Sequence, residues 1–504
     1  MAQHTVRAST ASGVVEGFVR NGVNRWRSIP YAQPPLGALR FRAPRPVRRW
    51  EGARPCFTFT ACAPQQRRFT MTAPGKYQPM SEDCLTLNVV TPQWSGPVPD
   101  DGPLPVMFFI HGGGYIFGSS ATPLYDGAKL ARRGCVYVSV NYRLGPLGCM
   151  DFSTLSTPET ILESNLYLRD LVAALRWVQD NISAFGGDPN NVTIFGESAG
   201  AHAVATLLAV PSAKGLFHQG ISQSPAMGLV SSPEGAASMA EQFARRLEPG
   251  PAGAARRLLI ADPAELIATM NEVIRHSVSN AITASPVGPC FGDDILPLDP
   301  FDAMRRGAAH PIPLIVGTNA DEARLFTKFL RLLPTTESAI ERVLAHMPAD
   351  ARERVLSAYP HYPDPKACVE FGGDMVFSAA VWQIAEAHAR LAPTYVYRYD
   401  YAPRALNWTG FGATHATELL AVFGTYRSRM GAVLTAGVDQ RTAVKVSHQM
   451  QTRWHQFAHS GVPGHGWPSY GHQQRPVLVF DEHSHLDYDP KPDRRRAWAE
   501  FSPF

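Results

Sequence analysis

Val192-Thr193-Ile194-Phe195-Gly196-Glu197-Ser198-Ala199-Gly200 is the stretch on which the reading of the fold turns. Its first four residues form a short continuous run of β-branched and aromatic side chains, the pattern of a strand buried on both faces. The residues from Ala199 to Val210 follow at once as an apolar run and read as a helix. A strand that passes into a helix within so few residues must turn sharply. Glycines flank the serine because neighbouring backbone comes too close for a Cβ. The turn lifts the Ser198 hydroxyl off the sheet edge at the start of a helix, where the partial positive charge of the helix end favours a developing anion. In this setting G-x-S-x-G marks Ser198 as a candidate nucleophile.

Upstream, Val106–Ile110 and Val136–Val140 read as further buried strands. Asn165 to Phe185 reads as a helix with Leu171, Leu175, Val178 and Ile182 on one face, broken by Gly-Gly-Asp-Pro from Gly186 to Pro189. Downstream, Leu314–Val316, Tyr395–Tyr399 and Val477–Phe480 read as strands. This alternation argues for the α/β class, a central mostly parallel sheet flanked by helices. Residues 230–290 and 327–392 are helix-rich, with start signals such as Ser232-Pro233-Glu234. No flexible linker separates them, so 1–504 is expected to be a single domain carrying these spans as helical insertions.

His111-Gly112-Gly113-Gly114-Tyr115 directly follows the Val106–Ile110 run. Three consecutive glycines let backbone N–H groups approach a ligand without side chains in the way. With the N–H of Ala199, those of Gly113 and Gly114 are candidates for an oxyanion hole, in which one donor is typically worth roughly 10²–10³ in rate. The two motifs together match the α/β-hydrolase pattern.

Composition agrees with a large folded protein and excludes several other classes. Of the 504 residues, 45% are hydrophobic and 18% charged, enough to bury a sizeable core. The net charge of +4 is nearly neutral over this length and implies neither nucleic acid nor an anionic membrane as partner. No stretch reaches 18 apolar residues, so no membrane span is expected. The start, MAQHTVRASTASG, has no apolar core of a secretory leader, and the seven Cys are odd in number with no CxxC pair. A cytoplasmic protein with reduced thiols is the expectation. No phosphate loop or dinucleotide turn opens a helix, so no cofactor is expected. His455 and His459 have i, i+4 spacing but no third ligand with a motif; they are expected on a solvated helix face, with no metal. Arg494-Arg495-Arg496 is expected to be a solvated patch.

Ser81-Glu82-Asp83-Cys84-Leu85-Thr86-Leu87-Asn88 resembles the EDCLxLN signature of type-B carboxylesterases, the carboxylesterase/cholinesterase family, and GESAG resembles that family's serine signature. Ile29–Phe41, Asn141–Gly148 and Ala174–Pro189 extend the likeness over most of the chain, to a bacterial-like member. The resemblance implies an α/β-hydrolase fold and a triad in the order Ser, Glu, His. Gly317-Thr318-Asn319-Ala320-Asp321-Glu322 is similar to the family's acid motif, which makes Glu322 the acid. Gly412-Ala413-Thr414-His415-Ala416-Thr417-Glu418-Leu419 is similar to its histidine motif, which makes His415 the base. Ser224 matches a position that supports this network in relatives. Glu197 either tunes the site electrostatically or pairs with a backbone or Arg group, and the choice stays open.

Two rivals fall short as reactive groups. His202 lies four residues beyond Ser198 on the same helix and reads as a buried, hydrogen-bonded His. Asp321 reads as capping a turn. Tyr167, Leu171 and Ser28 depart from the family's usual Gly, Gln and Gly, which bears on local packing. Cys62-Ala63-Pro64-Gln65 carries one residue more than the family's CPQ, and whether Cys62 bridges Cys84, as in secreted relatives, stays open.

The implied activity is hydrolysis of small carboxylic esters, short-to-medium acyl chains by default, through an acyl-enzyme, by a monomer or weak homodimer. Two alternatives are weighed. A non-catalytic cholinesterase-like interaction protein would lack a triad member, and all three are present. A hormone-sensitive-lipase-like esterase would be shorter and use Asp. Between Cys62 and Cys84 the only aromatics are Phe69 and Tyr77. Without a Trp there, choline specificity is disfavoured.

Overall fold

In the computed structural model, which describes residues 4–93, 102–248, 251–279, 287–329, 332–435 and 439–501, the chain divides into two compact units. The first comprises Met1–Gly220, Leu229–Ile274 and Pro286–Asp299, and the second the remainder.

The first unit carries β1 (Thr5–Thr10), β2 (Gly13–Arg20), β3 (Val23–Pro30), β4 (Thr86–Pro92), β5 (Leu104–Ile110), β6 (Val136–Val140) and β7 (Gly187–Glu197), in the spatial order β1-β2-β3-β4-β6-β5-β7. β5 is parallel to β6 on one side and to β7 on the other, with Phe108 level with Val138 and Ile194. Both β5, from Pro105 on, and the whole of β6 are buried, which is why they read as continuous apolar runs rather than alternating ones. The pairings from β1 to β4, and that of β4 with β6, are antiparallel. The sequence reading did not resolve these first strands. β1 is mostly exposed and carries no apolar periodicity.

Local chemistry sets the helices. α1 (Leu166–Asn181) buries Leu168, Leu171, Leu175 and Val178, continues as a 3₁₀ turn over Ile182–Phe185, and stops at Gly186, which sits at φ 79° as a left-handed cap. The strand starts sooner than expected: Gly187 to Pro189 already belong to β7 rather than to a loop. α2 (Ala199–Leu207) ends before Val210, because Pro211 disfavours helical backbone at the residue preceding it.

The span 230–290 is helical as expected, with α3 (Pro233–Leu247), α4 (Pro251–Ile260) and α5 (Pro263–Ser279); residues 249–250 and 280–286 of it lie outside the described residues. The Ser232 hydroxyl accepts from Gly235 N at 3.1 Å and Pro233 takes the first helical position. The EDCL block has a structural task here. Arg40 pairs with Glu82 and donates through Nη1 to the carbonyls of Leu258, Leu259 and Ala261, closing the end of α4.

β8 (Gln219–Gln223) leads into Ser224. The second unit then carries β9 (Leu314–Asn319), β10 (Thr394–Tyr399), β11 (Pro476–Phe480) and β12 (His485–Tyr488). β9, β10 and β11 are parallel neighbours, and β12 returns antiparallel to β11. The span 327–392 is helical, with α6 (Glu337–Leu344), α7 (Ala349–Ser357), α8 (Pro365–Gly373) and α9 (Ala379–His388), and a π-helical turn over Asp374–Ser378 between the last two; residues 330–331 lie outside the described residues. α10 (Gln440–Ser460) carries His455, half-buried, and His459, exposed.

One expectation changes. Arg494-Arg495-Arg496 is not simply a solvated patch: Arg494 reaches Asp374 at 3.0 Å and Glu370 at 2.5 Å, and Arg495 reaches Asp489 at 2.8 Å. The buried Asp374 carboxylate needs such partners. Ser28 occupies φ 53°, the left-handed region natural to the glycine it replaces; its hydroxyl accepts from Thr60 N at 2.8 Å. All seven cysteines are buried free thiols, Cys62 and Cys84 included. Among the described residues no helix is long and apolar enough to cross a membrane.

Candidate active site

The end of β5 dictates both glycines of the elbow. A Cβ on Gly200 would lie 2.1 Å from Ile110 O, and one on Gly196 would lie 2.7 Å from the same oxygen. No side chain fits at either position. Ser198 between them takes φ 59°, ψ −124°, a strained conformation for a residue with a Cβ. Its carbonyl already accepts from His202 N at 2.9 Å, so the helix begins immediately beyond the hydroxyl. Ser198 is half-exposed while Glu197 and Ala199 on either side are buried.

The glycine run lies directly against this elbow. A Cβ on Gly112 would meet Glu197 O at 2.6 Å and Ser198 Cβ at 3.1 Å. Gly113 and Gly114 follow at φ 113° and 59°. Among the described residues no hydrogen bond is donated by the backbone N–H of Gly113 or Gly114. The N–H of Ala199 opens α2, outside the helix's own ladder. Three backbone N–H groups are thus held in one unit with Ser198.

The loop that carries these donors is pinned on every side. His111 Nδ1 donates to Gly112 O at 2.9 Å, and Tyr142 OH donates to His111 O at 2.7 Å while stacking on its ring. Burial pushes the His111 imidazole down to about 4, so it stays neutral. Gln65 Nε2 donates to Gly118 O and Gln65 Oε1 accepts from Gly118 N, both at 2.8 Å. Ser119 Oγ donates to Gln78 Oε1 at 2.7 Å, and Phe69 stacks on Phe117. Sequence reasoning noted Cys62–Gln65 only for its spacing and missed the role of Gln65; a Gln in an otherwise apolar CAPQ segment was the available signal.

His202 sits below the elbow, fully buried and 2.9 Å from Tyr115 OH, which Tyr167 OH approaches at 3.4 Å. Burial pushes its imidazole down to about 3. Tyr167, read from the sequence as a packing departure, thus belongs to a buried polar chain. Glu197 lies close enough to Tyr125 for its charge to raise that phenol, after the larger effect of burial.

In the second unit β9 and the residues after it position Glu322. Glu322 Oε2 accepts from His415 Nδ1 at 2.6 Å. Oε1 accepts from Ser224 Oγ at 2.5 Å and from Asn319 N at 2.7 Å. With Asn319 Nδ2 also donating to Oε1 at 3.3 Å, four donors fix the orientation of this buried carboxylate, and the carboxylate fixes the histidine tautomer. The His415 ring lies against Phe377, centroids 4.5 Å apart, and Phe326 at 5.2 Å. Phe377 comes from the π-helical turn, so the insertion at 327–392 supplies a wall for the histidine. Asp321 makes different contacts: it pairs with Arg324 at 2.8 Å and accepts from Ala413 N, two residues before His415. Asn319 Nδ2 donates to Glu418 Oε2 at 2.6 Å, which links a second buried carboxylate to the Glu322 cluster. Glu418 lay inside the histidine motif and was given no role there.

The first unit therefore gathers Ser198, Glu197, Gly113, Gly114 and Ala199, and the second gathers Glu322, His415 and Ser224. A strained serine beside free backbone donors is suited to covalent attack on a carbonyl, and a carboxylate-held imidazole to proton transfer.

Residues 2–498 match the family described as the carboxylesterase family. The chain is 36% identical to a para-nitrobenzyl esterase of Bacillus subtilis (strain 168) over 498 residues, covering 97% of each chain. It is 38% identical to a fumonisin B1 esterase of Sphingopyxis macrogoltabida over 477 residues, covering 92% of this chain and 84% of the relative. A solved para-nitrobenzyl esterase structure superposes with a TM-score of 0.86 at 34% identity, over 98% of this chain and 99% of the other.

Proposed function

This chain belongs to the carboxylesterase family and is a serine carboxylester hydrolase with the α/β-hydrolase fold; we propose that Ser198, His415 and Glu322 are its catalytic triad. The hydrogen bond of 2.6 Å between His415 and Glu322 carries this reading, together with the strained serine on its glycine-flanked turn. His415 Nε2 takes the Ser198 proton as the hydroxyl oxygen attacks the ester carbonyl. Gly113, Gly114 and Ala199 donate to the tetrahedral oxyanion. Collapse expels the alcohol, which takes the proton from His415. Water then repeats the sequence on the acyl-enzyme and releases the acid. Ser224 is a positioning residue, holding Glu322 so that it faces the imidazole, and Glu197 tunes the charge around the serine.

The substrate is a small carboxylic ester, and short-to-medium acyl chains are the working reading. The para-nitrobenzyl esterase among the relatives supports a soluble aromatic ester as the first substrate to try. The chain is read as one domain over 1–504 with helical insertions, monomeric or weakly dimeric, and cytoplasmic, the last on its odd number of thiols. Turnover of p-nitrophenyl esters from acetate to palmitate tests activity and acyl range together. Ser198→Ala should abolish turnover and labelling by a fluorophosphonate while leaving the thermal transition unchanged. Retained burst kinetics in that variant would refute the assignment.

A further inference from the structure

A second cavity, of about 460 Å³, opens beside β3 in the first unit. Its walls include none of Ser198, Glu197 or the glycine run. The volume lies in the range that holds a small organic molecule. Arg25 and Arg27 line it from one strand, two residues apart and so on one face of β3. The ladder to β4 shifts register at Arg27 and Ser28, between Trp26 and Ile29, with Ser28 in the left-handed region. Such a bulge bends the strand locally and opens space at its side. Phe59, Tyr77 and Tyr125 add aromatic walls.

The charges here are not matched. Arg25 is only 7% exposed, and among the described residues only its Nη2 is engaged, with both oxygens of Asp126 at 3.1 and 3.2 Å. That carboxylate is 49% exposed and also accepts from Ala128 N at 3.0 Å. Among the described residues the Arg27 side chain donates only to Phe57 O at 3.3 Å, with its guanidinium over the rings of Phe59 at 4.3 Å and Phe18 at 4.9 Å. Among the described residues neither Nε has a hydrogen-bond partner, though both are buried. Burial and then the neighbouring Arg25 charge push Arg27 below the usual guanidinium range. Two cations thus share a half-enclosed space with one carboxylate, and several of their donors are unspent. An anion placed there gains charge-assisted hydrogen bonds and relieves like-charge repulsion.

We propose that this cavity is a second ligand site, taking a small monocarboxylate with an apolar aromatic body. The carboxylate would bridge Arg25 and Arg27, and the arene would pack among Phe59, Tyr77 and Tyr125. This is the class of acid that hydrolysis of an ester of an aromatic acid, such as a benzoate ester, releases. Thr72, Tyr77, Gln78 and Pro79 also line the cavity, and Gln78 holds Ser119 of the segment that follows the glycine run.

The test uses the full chain after reaction with a fluorophosphonate, checked by intact mass, so that the reacted serine site cannot report. A chain that takes up no label contradicts the triad reading, and the cavity is then titrated unlabelled. Benzoate is titrated by calorimetry, with inorganic phosphate in parallel. One benzoate per chain should bind. Its Kd should rise about tenfold in Arg27→Gln, the worth of one charge-assisted bond. It should fall several-fold in Asp126→Asn, which removes the competing carboxylate but keeps an oxygen for Ala128. If Arg27→Gln fails to fold, Asp126→Asn decides alone. Absence of saturable binding, equal affinity in Asp126→Asn and the parent, or phosphate binding as tight as benzoate would each overturn the proposal.

Discussion

Gln65 and Gly118 exchange two hydrogen bonds of 2.8 Å, the side-chain amide pairing with a backbone amide 53 residues away in sequence. Gly118 has no freedom to accept a side chain instead: its φ is 126°, and a Cβ there would lie 2.4 Å from His111 Nδ1. The pair fixes the far end of the loop that presents Gly113 and Gly114. Gln65→Leu removes both bonds, each worth about 1 kcal/mol to stability, and leaves backbone groups to be resolvated. The expected result is a drop in kcat of about tenfold or more with KM for a p-nitrophenyl ester little changed, because the donors act on the transition state. Unchanged kcat would show that the loop holds its shape without Gln65.

Glu322 and Asp321 are adjacent, yet only Glu322 reaches the imidazole. Glu322→Gln should cost kcat about 10³–10⁴-fold, as a wrong tautomer does in this class of relay. Asp321→Asn should cost little in rate, its loss appearing as a lower melting temperature through the Gly412–Ala413 turn. Ser224→Ala should fall between them, near tenfold, since Asn319 still holds the same carboxylate. A reversed order of Glu322 and Asp321 in single-turnover kinetics would reassign the acid.

Gly200→Ala places a methyl group 2.1 Å from Ile110 O, where backbone rather than a flexible side chain must yield. The expected cost is about 3 kcal/mol or more, with esterase activity lost as the elbow shifts. Gly471→Ala is the matched control, because nothing lies within 4 Å of its Cβ. Chemical denaturation of the two variants checks the contrast, and equal midpoints would contradict the close crossing of β5 and the elbow.

His111 and His202 make stability depend on acid. In the unfolded chain both imidazoles take up protons as pH falls through about 6.5. In the folded chain burial keeps them neutral down to about 4 and about 3. The unfolded state binds more protons in that window, so stability is complete above it and declines on acidification, by at most ~1.4 kcal/mol per pH unit for each imidazole. Urea midpoints measured between about pH 7.5 and 4.5 should fall accordingly. His202→Gln removes one of the two contributions and should flatten the slope; an unchanged slope would mean that His202 is not held neutral.

Much of the site was legible because its signals are local. Gly196 and Gly200 bracket Ser198 over five residues, and the constraint that selects them, the close passage of Ile110, shows as two missing side chains. Gly112 is selected the same way by Glu197. The buried parallel strands were legible because each is a continuous apolar run. β1 was not, since an exposed edge strand carries no apolar pattern. Arg494 and Arg495 looked like a solvated run because their partners, Asp374, Glu370 and Asp489, are brought to them by folding.

The amino-acid sequence by itself determined which residues can do chemistry: a serine on a turn that tolerates only glycine beside it, a run of exposed backbone donors, and an acid and a base in motifs of their own. Only the tertiary structure decided that Gln65 clamps Gly118, that Asn319 ties Glu418 to Glu322, and that Arg25 and Arg27 stand beside one shared carboxylate. The reason is physical. Backbone strain and burial act within a few residues and leave a mark on composition, whereas a hydrogen bond between distant side chains depends on where the chain returns in space, and any polar residue at either position looks the same before it does.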